Sequence, residues 1–435
     1  MRPSIGKTLA AAALATTLLA TAACSGGDDG AEAEPTGPVE LSFWSWAPGI
    51  EKTVDLWNQQ NPEIKVVLSK QAGGADIVTK LLTAAKAGNP PDLAQVEYQS
   101  LPTLVSNDVL ANIADQAGAA KDKFPAGAWQ QVTLGTDAVY AIPQDSGPMM
   151  LYYREDIFKE LGLTVPKTWD EFAATARTVR QKDSAKYLTT FSAADPGWFA
   201  GLAQQAGASW WGIDGETWKV SVNDAATKKV ADYWGGLVNE GAVSGNPMYT
   251  PEWNKALNDG TIIAWPSAVW GPGVLEGNAP DTKSKWAMAP LPQWAAGENK
   301  TGNWGGSSTG VTEASKHKTA AVTFATWMNT ETAATDSLIT SGAIYPAATA
   351  AQSSQHLQAP PAFFPQQADF YTSAKSIAGG AAGFTWGPNV NVTYDTYKDA
   401  FAKAITGKTP FSGALDAMQS ATVADMQKNG FTVAG

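Results

Sequence analysis

A chain of 435 residues is longer than one compact core usually holds, so two lobes or more are expected and burial of a large core is no obstacle. Its 30 Lys and Arg against 41 Asp and Glu leave a net charge of −11 with no basic run past the N-terminus, which argues against nucleic acid as a partner. Only 16% of the residues are charged, so Ser, Thr, Asn, Gln and Ala must form much of the surface, a composition that suits a secreted protein; the 18 tryptophans call for a separate explanation.

In chain order, Arg2 and Lys7 precede an apolar run from Leu9 to Leu19, and the small residues Ala20-Thr21-Ala22-Ala23 lead into Cys24. This is a signal-peptide layout, too short to persist as a spanning helix. Cys24 is the single cysteine, which forbids an internal disulfide. The segment resembles a bacterial lipoprotein signal, in which such a cysteine is acylated and becomes the first residue of the mature chain; Thr21 stands where that pattern usually has Leu. Residues 1–23 are then the signal peptide, with cleavage after Ala22 or Ala23 by an ordinary signal peptidase as the alternative. Residues 24–38 have no apolar periodicity and read as a lipidated cysteine followed by a flexible tether.

Beyond the tether, Val39 to Trp44 alternates as a strand, and Ile50, Val54 and Trp57 follow at helical spacing until Asn61-Pro62. A strand at Ile64 to Leu68, a helix carrying Ile77, Leu81 and Ala85, and a strand at Leu93 to Val96 complete a β-α-β-α-β run. Such alternation predicts a largely parallel sheet covered on both faces. It restarts with a strand at Met149 to Tyr153 and a capping-box helix opening on Thr168-Trp169-Asp170-Glu171. Further helices are predicted at Asp224 to Asn239, Pro251 to Asn258 with Thr250 as cap, Lys316 to Asn329, and Leu415 to Met426.

Indole faces stack well on the electron-poor C–H face of a pyranose, and carboxylates and amides satisfy its hydroxyls. A saccharide site therefore pairs Trp with Asp, Glu, Asn or Gln on loops, as at Ser45-Trp46, Gln95-Val96-Glu97, Gln144-Asp145, Asp195-Pro196-Gly197-Trp198, Asn303-Trp304-Gly305 and Trp386-Gly387-Pro388-Asn389. Trp57, Trp169, Trp234 and Trp327 lie at helical positions beside apolar neighbours and read as core. Trp253 and the pair Trp210-Trp211 are open to either reading. A secreted glycoside hydrolase is the rival class, because it too lines a cleft with tryptophan and needs two carboxylates, such as Glu97 and Asp145. No metal-ligand spacing, phosphate loop or activated nucleophile supports catalysis, and no cofactor or metal is expected. A receptor for another polar solute such as a peptide is the third reading.

The ordered segments LSFWSW, PDLAQVEYQ, YAIPQDSGPMMLYYREDIF, VPKTWDEF, NDGTIIAWPSAVW and WGGSS resemble the carbohydrate-binding extracellular solute-binding proteins of ATP-binding-cassette importers, the group that includes maltose-binding protein. The resemblance implies an α/β, two-lobed periplasmic-binding-protein-like fold of type II with a hinge between lobes. Residues 39–147 plus 308–349 would form the N-terminal lobe and residues 150–304 plus 355–435 the C-terminal lobe. It further implies ligand contacts from Trp46, Gln95, Glu97, Asp145, Trp198, Trp270, Trp304, Gly305, Trp386 and Asn389, with Ala268 replacing the usual Gly before the tryptophan at 270. The implied partners are a di- or oligosaccharide and a membrane permease, contacted by a monomer that is lipid-anchored at Cys24 on the outer face of the cell membrane.

Overall fold

The structure is a computed structural model and describes residues 37–434 except 216 and 343. The expected signal peptide, Cys24 and most of the tether lie outside the described residues. In chain order the strands are β1 (Val39–Ser45), β2 (Ile64–Lys70), β3 (Leu93–Glu97), β4 (Ala141–Pro143), β5 (Met149–Arg154), β6 (Trp211–Asp214), β7 (Thr217–Val220), β8 (Ala264–Ala268), β9 (Trp286–Pro290), β10 (Ser307–Val311) and β11 (Thr432–Val433).

The β-α-β-α-β start forms as predicted, with helices Ile50–Gln60 and Ala75–Lys86 between the first three strands. Leu41, Phe43 and Ser45 turn inward while the residues between them stay half-exposed, the period-2 signature of a strand. Trp57 locks the first helix down: its indole N–H donates to the Ile64 carbonyl at 2.7 Å, and its ring meets Phe324 and Trp327 edge-on at 5.3 and 5.1 Å. The sheet runs β2-β1-β3-β10-β4, with β1 parallel to β2 and β3. The expectation of a largely parallel sheet needs correction at its far edge. There β10 is antiparallel to both β3 and β4, because the chain re-enters at the end where β3 leaves, Ser307 opposite Glu97.

A second sheet, β8-β5-β9, is antiparallel throughout, and a small third sheet runs β11-β7-β6. The predicted caps are present: Thr168 and Glu171 make a complete capping box on helix Trp169–Lys182, and the Thr250 side chain accepts from the Trp253 amide to start helix Pro251–Asp259. Residues 144–148 and 291–306 link the first two sheets and lie side by side, with Trp304 N–H donating to Gly147 O at 2.8 Å and Met149 N–H to Gly302 O at 2.9 Å. Gly305 (φ 76°) and Gly306 (φ 98°) turn the second link in the left-handed region, where a side chain would be strained.

Most of the indoles answer to packing. Trp57, Trp169 and Trp234 are core, as predicted, and Trp327 is half-buried against Trp57; Trp210, Trp211 and Trp253, readable either way in the sequence, are also fully buried. Among the described residues no helix is long and apolar enough to cross a membrane, and no group of His, Cys, Asp and Glu is placed to hold a metal ion.

Candidate functional site

Three walls meet at a cavity of about 520 Å³. The carboxyl end of β3 and the turn after it supply Glu97, Gln99 and Ser100, joined by Gly74 and Thr79. Asn303, Trp304 and Gly305 come from the second link between the sheets. The facing wall is built by Ala194 to Gly197, Trp386, and one stripe of helix Val390–Ile405: Asn391, Tyr394, Asp395 and Lys398. Those four recur at i, i+3, i+4 and i+7, so they share a face, while Val390, Thr393, Tyr397, Ala400 and Phe401 bury the other. The cavity thus stands beyond the strand ends, where open α/β sheets present ligand sites.

Of the residues singled out in the sequence, Glu97, Trp304, Gly305 and Trp386 line this cavity together. Trp270 stands directly beside it: its ring lies 4.7 Å from that of Trp304, edge-on, and its indole N–H donates to the Trp304 carbonyl at 3.0 Å. The Trp46 indole packs on Gly73, next to the cavity-lining Gly74. Asp145 stands outside the lining; one carboxylate oxygen accepts from both the amide and the hydroxyl of Ser307, the latter at 2.6 Å, which ties the first link to β10.

Three of the expected contacts are corrected. Trp198 is fully buried, edge-on to Phe191 and Trp234, and its N–H donates to the Pro266 carbonyl at 3.0 Å; it is a core residue without a free face. Gln95 is spent inside the protein, its oxygen accepting from the Ser45 hydroxyl and the amides of Trp46 and Ala47, its nitrogen donating to Ser307 Oγ, so it positions the Trp46 loop. Asn389 donates to the Thr422 carbonyl and the Asp425 carboxylate and fastens a helix start; Asn391, two residues on, is the one that reaches the cavity. Asp195, named in the sequence beside Trp198, lines the cavity in its place, while Asn391, Asp395, Gln99, Tyr394 and Lys398 were not singled out. The polar stripe on the helix after Trp386 was the signal that would have found all but Gln99.

The electrostatics are those of a confined acidic site. Burial pushes the Glu97 carboxyl up to about 7, with the charge of Asp145 adding to it, while the carboxylate accepts from the Gln99 amide at 2.7 Å. Burial likewise raises Asp145 to about 6 against the opposing Ser307 hydrogen bonds, and Asp195 to about 6 against its bond from Ser192 and the charge of Lys398. Burial, with a contribution from Glu97, also holds the Tyr394 hydroxyl neutral far above its usual range. Aromatic side chains and hydroxyl-accepting carboxyls therefore line one space, an arrangement suited to a flat, hydroxyl-edged solute.

The family model for bacterial extracellular solute-binding proteins matches residues 44–335. The arabinooligosaccharide-binding protein of Halalkalibacterium halodurans is 25% identical over 66% of this chain and 66% of its own length, just under two thirds. A lactose-binding protein of Rhizobium radiobacter is 27% identical over 74% of each chain. Among solved structures, the galacto-N-biose-/lacto-N-biose I-binding protein of an ABC transporter from Bifidobacterium longum, in complex with lacto-N-biose, superposes with a TM-score of 0.83 at 28% identity, over 92% of this chain and all of that one. With two sheets joined by paired links, a cavity at the strand ends and a family model matching most of its length, the chain belongs to the bacterial extracellular solute-binding protein family.

Proposed function

We propose that this protein captures a neutral di- or oligosaccharide in the cavity around Trp304 and delivers it, chemically intact, to the permease of an ABC importer. The observation that carries the reading is the lining itself: Trp304, Trp386 and Tyr394 supply aromatic rings to it, and Glu97 and Asp195 stand on opposite walls. Asp195 and Asp395 stand against Lys398 as the single cation among the described lining residues, with Glu97 adding a further negative charge above about pH 7, so a phosphate- or carboxylate-bearing solute meets like charge. The three relatives named above support the class, since each is named for a saccharide that it binds. The hydrolase pair suggested by the sequence loses its support, because Asp145 is engaged by Ser307 and lies outside the lining.

On this reading residues 39–147 with 308–349 and residues 150–304 with 355–435 act as two lobes that close on the ligand, and Cys24 carries the lipid that keeps the receptor on the outer membrane surface. Several acyl chains, at about 0.8 kcal/mol per buried methylene, anchor it firmly. The test is a thermal-shift screen with lactose, lacto-N-biose and arabino-oligosaccharides beside sn-glycerol 3-phosphate and a peptide mixture. A neutral saccharide at about 100-fold over its Kd stabilises the fold by about 2.7 kcal/mol and is recovered unchanged by chromatography. Stabilisation by the phosphate or the peptides alone, or release of shorter sugars, contradicts the proposal.

A further inference from the structure

A single serine ties the first link to the strand that runs up to the cavity. Ser307 opens β10 directly after Gly305 and Gly306, and its amide, carbonyl and hydroxyl are all spent on residues far away in sequence. The carbonyl accepts from the amides of Gln144 and Asp145 at 2.9 and 3.2 Å, and the amide donates to Asp145 Oδ1. The hydroxyl meets two partners, Asp145 Oδ1 at 2.6 Å and Gln95 Nε2 at 2.9 Å. Ser307 and Gln95 are both buried, so solvent has little access to these bonds.

A serine hydroxyl has one proton to give and lone pairs to receive with. Burial raises the Asp145 carboxyl only to about 6, so at about pH 7.5 it is a carboxylate with no proton to offer. The Ser307 proton therefore goes to Asp145, and the hydroxyl oxygen is left to accept from Gln95. That choice fixes which way the Gln95 amide faces. Its oxygen is turned the other way and accepts from the Ser45 hydroxyl at 2.7 Å and from the amides of Trp46 and Ala47 at 3.2 and 3.1 Å. The reversed amide would set its NH2 against two backbone N–H donors and its oxygen against a hydroxyl whose one proton is already committed. Trp46, whose indole packs on Gly73 beside the cavity-lining Gly74, is thus held by a directed chain of hydrogen bonds that begins on the first link.

We propose that Ser307 is a positioning residue for the cavity rim: through Gln95 it carries the setting of the first link to the Trp46 loop, so that link and loop move as one unit. Protein labelled with 5-fluorotryptophan tests this without ligand, the Trp46 resonance being identified by its loss in Trp46→Phe. Ser307→Ala shifts or broadens the Trp46 resonance while those of the core residues Trp169 and Trp234 stay in place, and Ser307→Thr, which keeps the hydroxyl, restores the wild-type position. A second arm, calorimetric titration with lactose, lacto-N-biose and arabinotriose, rests on the saccharide reading. There Ser307→Ala and Gln95→Met each weaken the bound sugar roughly three- to tenfold, and the double variant loses no more than the worse of the two, as befits members of one chain. A Trp46 resonance unmoved by Ser307→Ala, equal movement of all three indoles, or affinity losses that are absent or multiply in the double variant overturns the relay. If none of the three sugars binds the wild type, the saccharide reading fails and the fluorine resonances alone decide the relay.

Discussion

Glu97 carries a proton in the folded protein at a pH where the unfolded chain has lost it, because burial and the neighbouring Asp145 lift its carboxyl from 4.5 to about 7. Between those two values the folded state binds more protons, so this group's contribution to stability is full below about pH 4.5 and is lost as the pH rises through 7. Asp145 and Asp195, each raised to about 6, act in the same direction. The ligand-free Glu97→Gln variant is therefore expected to gain melting temperature over the wild type near about pH 7.5 and to lose that advantage near about pH 5.5, as followed by calorimetry. Parallel curves for the two proteins would contradict the assignment. Tryptophans at this scale look alike in sequence and differ in consequence. Trp198→Ala opens the core beside Phe191 and Trp234 and is expected to cost about 3–5 kcal/mol in denaturant unfolding. Trp304→Ala should instead leave much of the fold's stability and lose about 2 kcal/mol or more of saccharide binding. Equal effects of the two on both measurements would refute that division. The sequence placed both beside glycine; only the packing partners, distant in the chain, separate a core indole from a cavity-lining one.

At the level of elements, local rules were the legible ones. The alternation in β1, the helical spacing of Ile50, Val54 and Trp57, and the caps at Thr168 and Thr250 all depend on neighbours within a few residues, and each appears where the pattern put it. Strand direction was not legible in the same way. The antiparallel setting of β10 depends on which end of the sheet the chain re-enters after more than a hundred residues, and no local pattern reports that. The helix Val390–Ile405 shows both outcomes. Asn389 drew attention by its place beside Trp386, Gly387 and Pro388, yet it fastens the helix start to Thr422, while the face that reaches the cavity begins at Asn391 and was readable as an i, i+3, i+4, i+7 polar stripe. Gln95 was found for the right reason, a polar residue delivered by β3, and proved to be occupied by Ser45, Trp46, Ala47 and Ser307, contacts made across strands far apart in sequence.

For the whole molecule, the two sheets are joined by links that lie side by side and pass through Gly305 and Gly306, so the same segment that connects the halves also supplies Trp304 to the cavity. On the proposed reading, ligand contact and hinge would share one stretch of chain. A saccharide touching Glu97 on one side, Trp386 on the other and Trp304 between them favours whichever arrangement lets all three contacts form, and only that difference in affinity can drive closure. The most direct measurement is a crystal structure of the protein soaked or grown with the neutral saccharide that stabilises it most. An intact sugar is expected there, with one ring against Trp304 and its hydroxyls within hydrogen-bond reach of Glu97 and Asp195. A ligand seated elsewhere, or one found cleaved, would contradict the proposed reading.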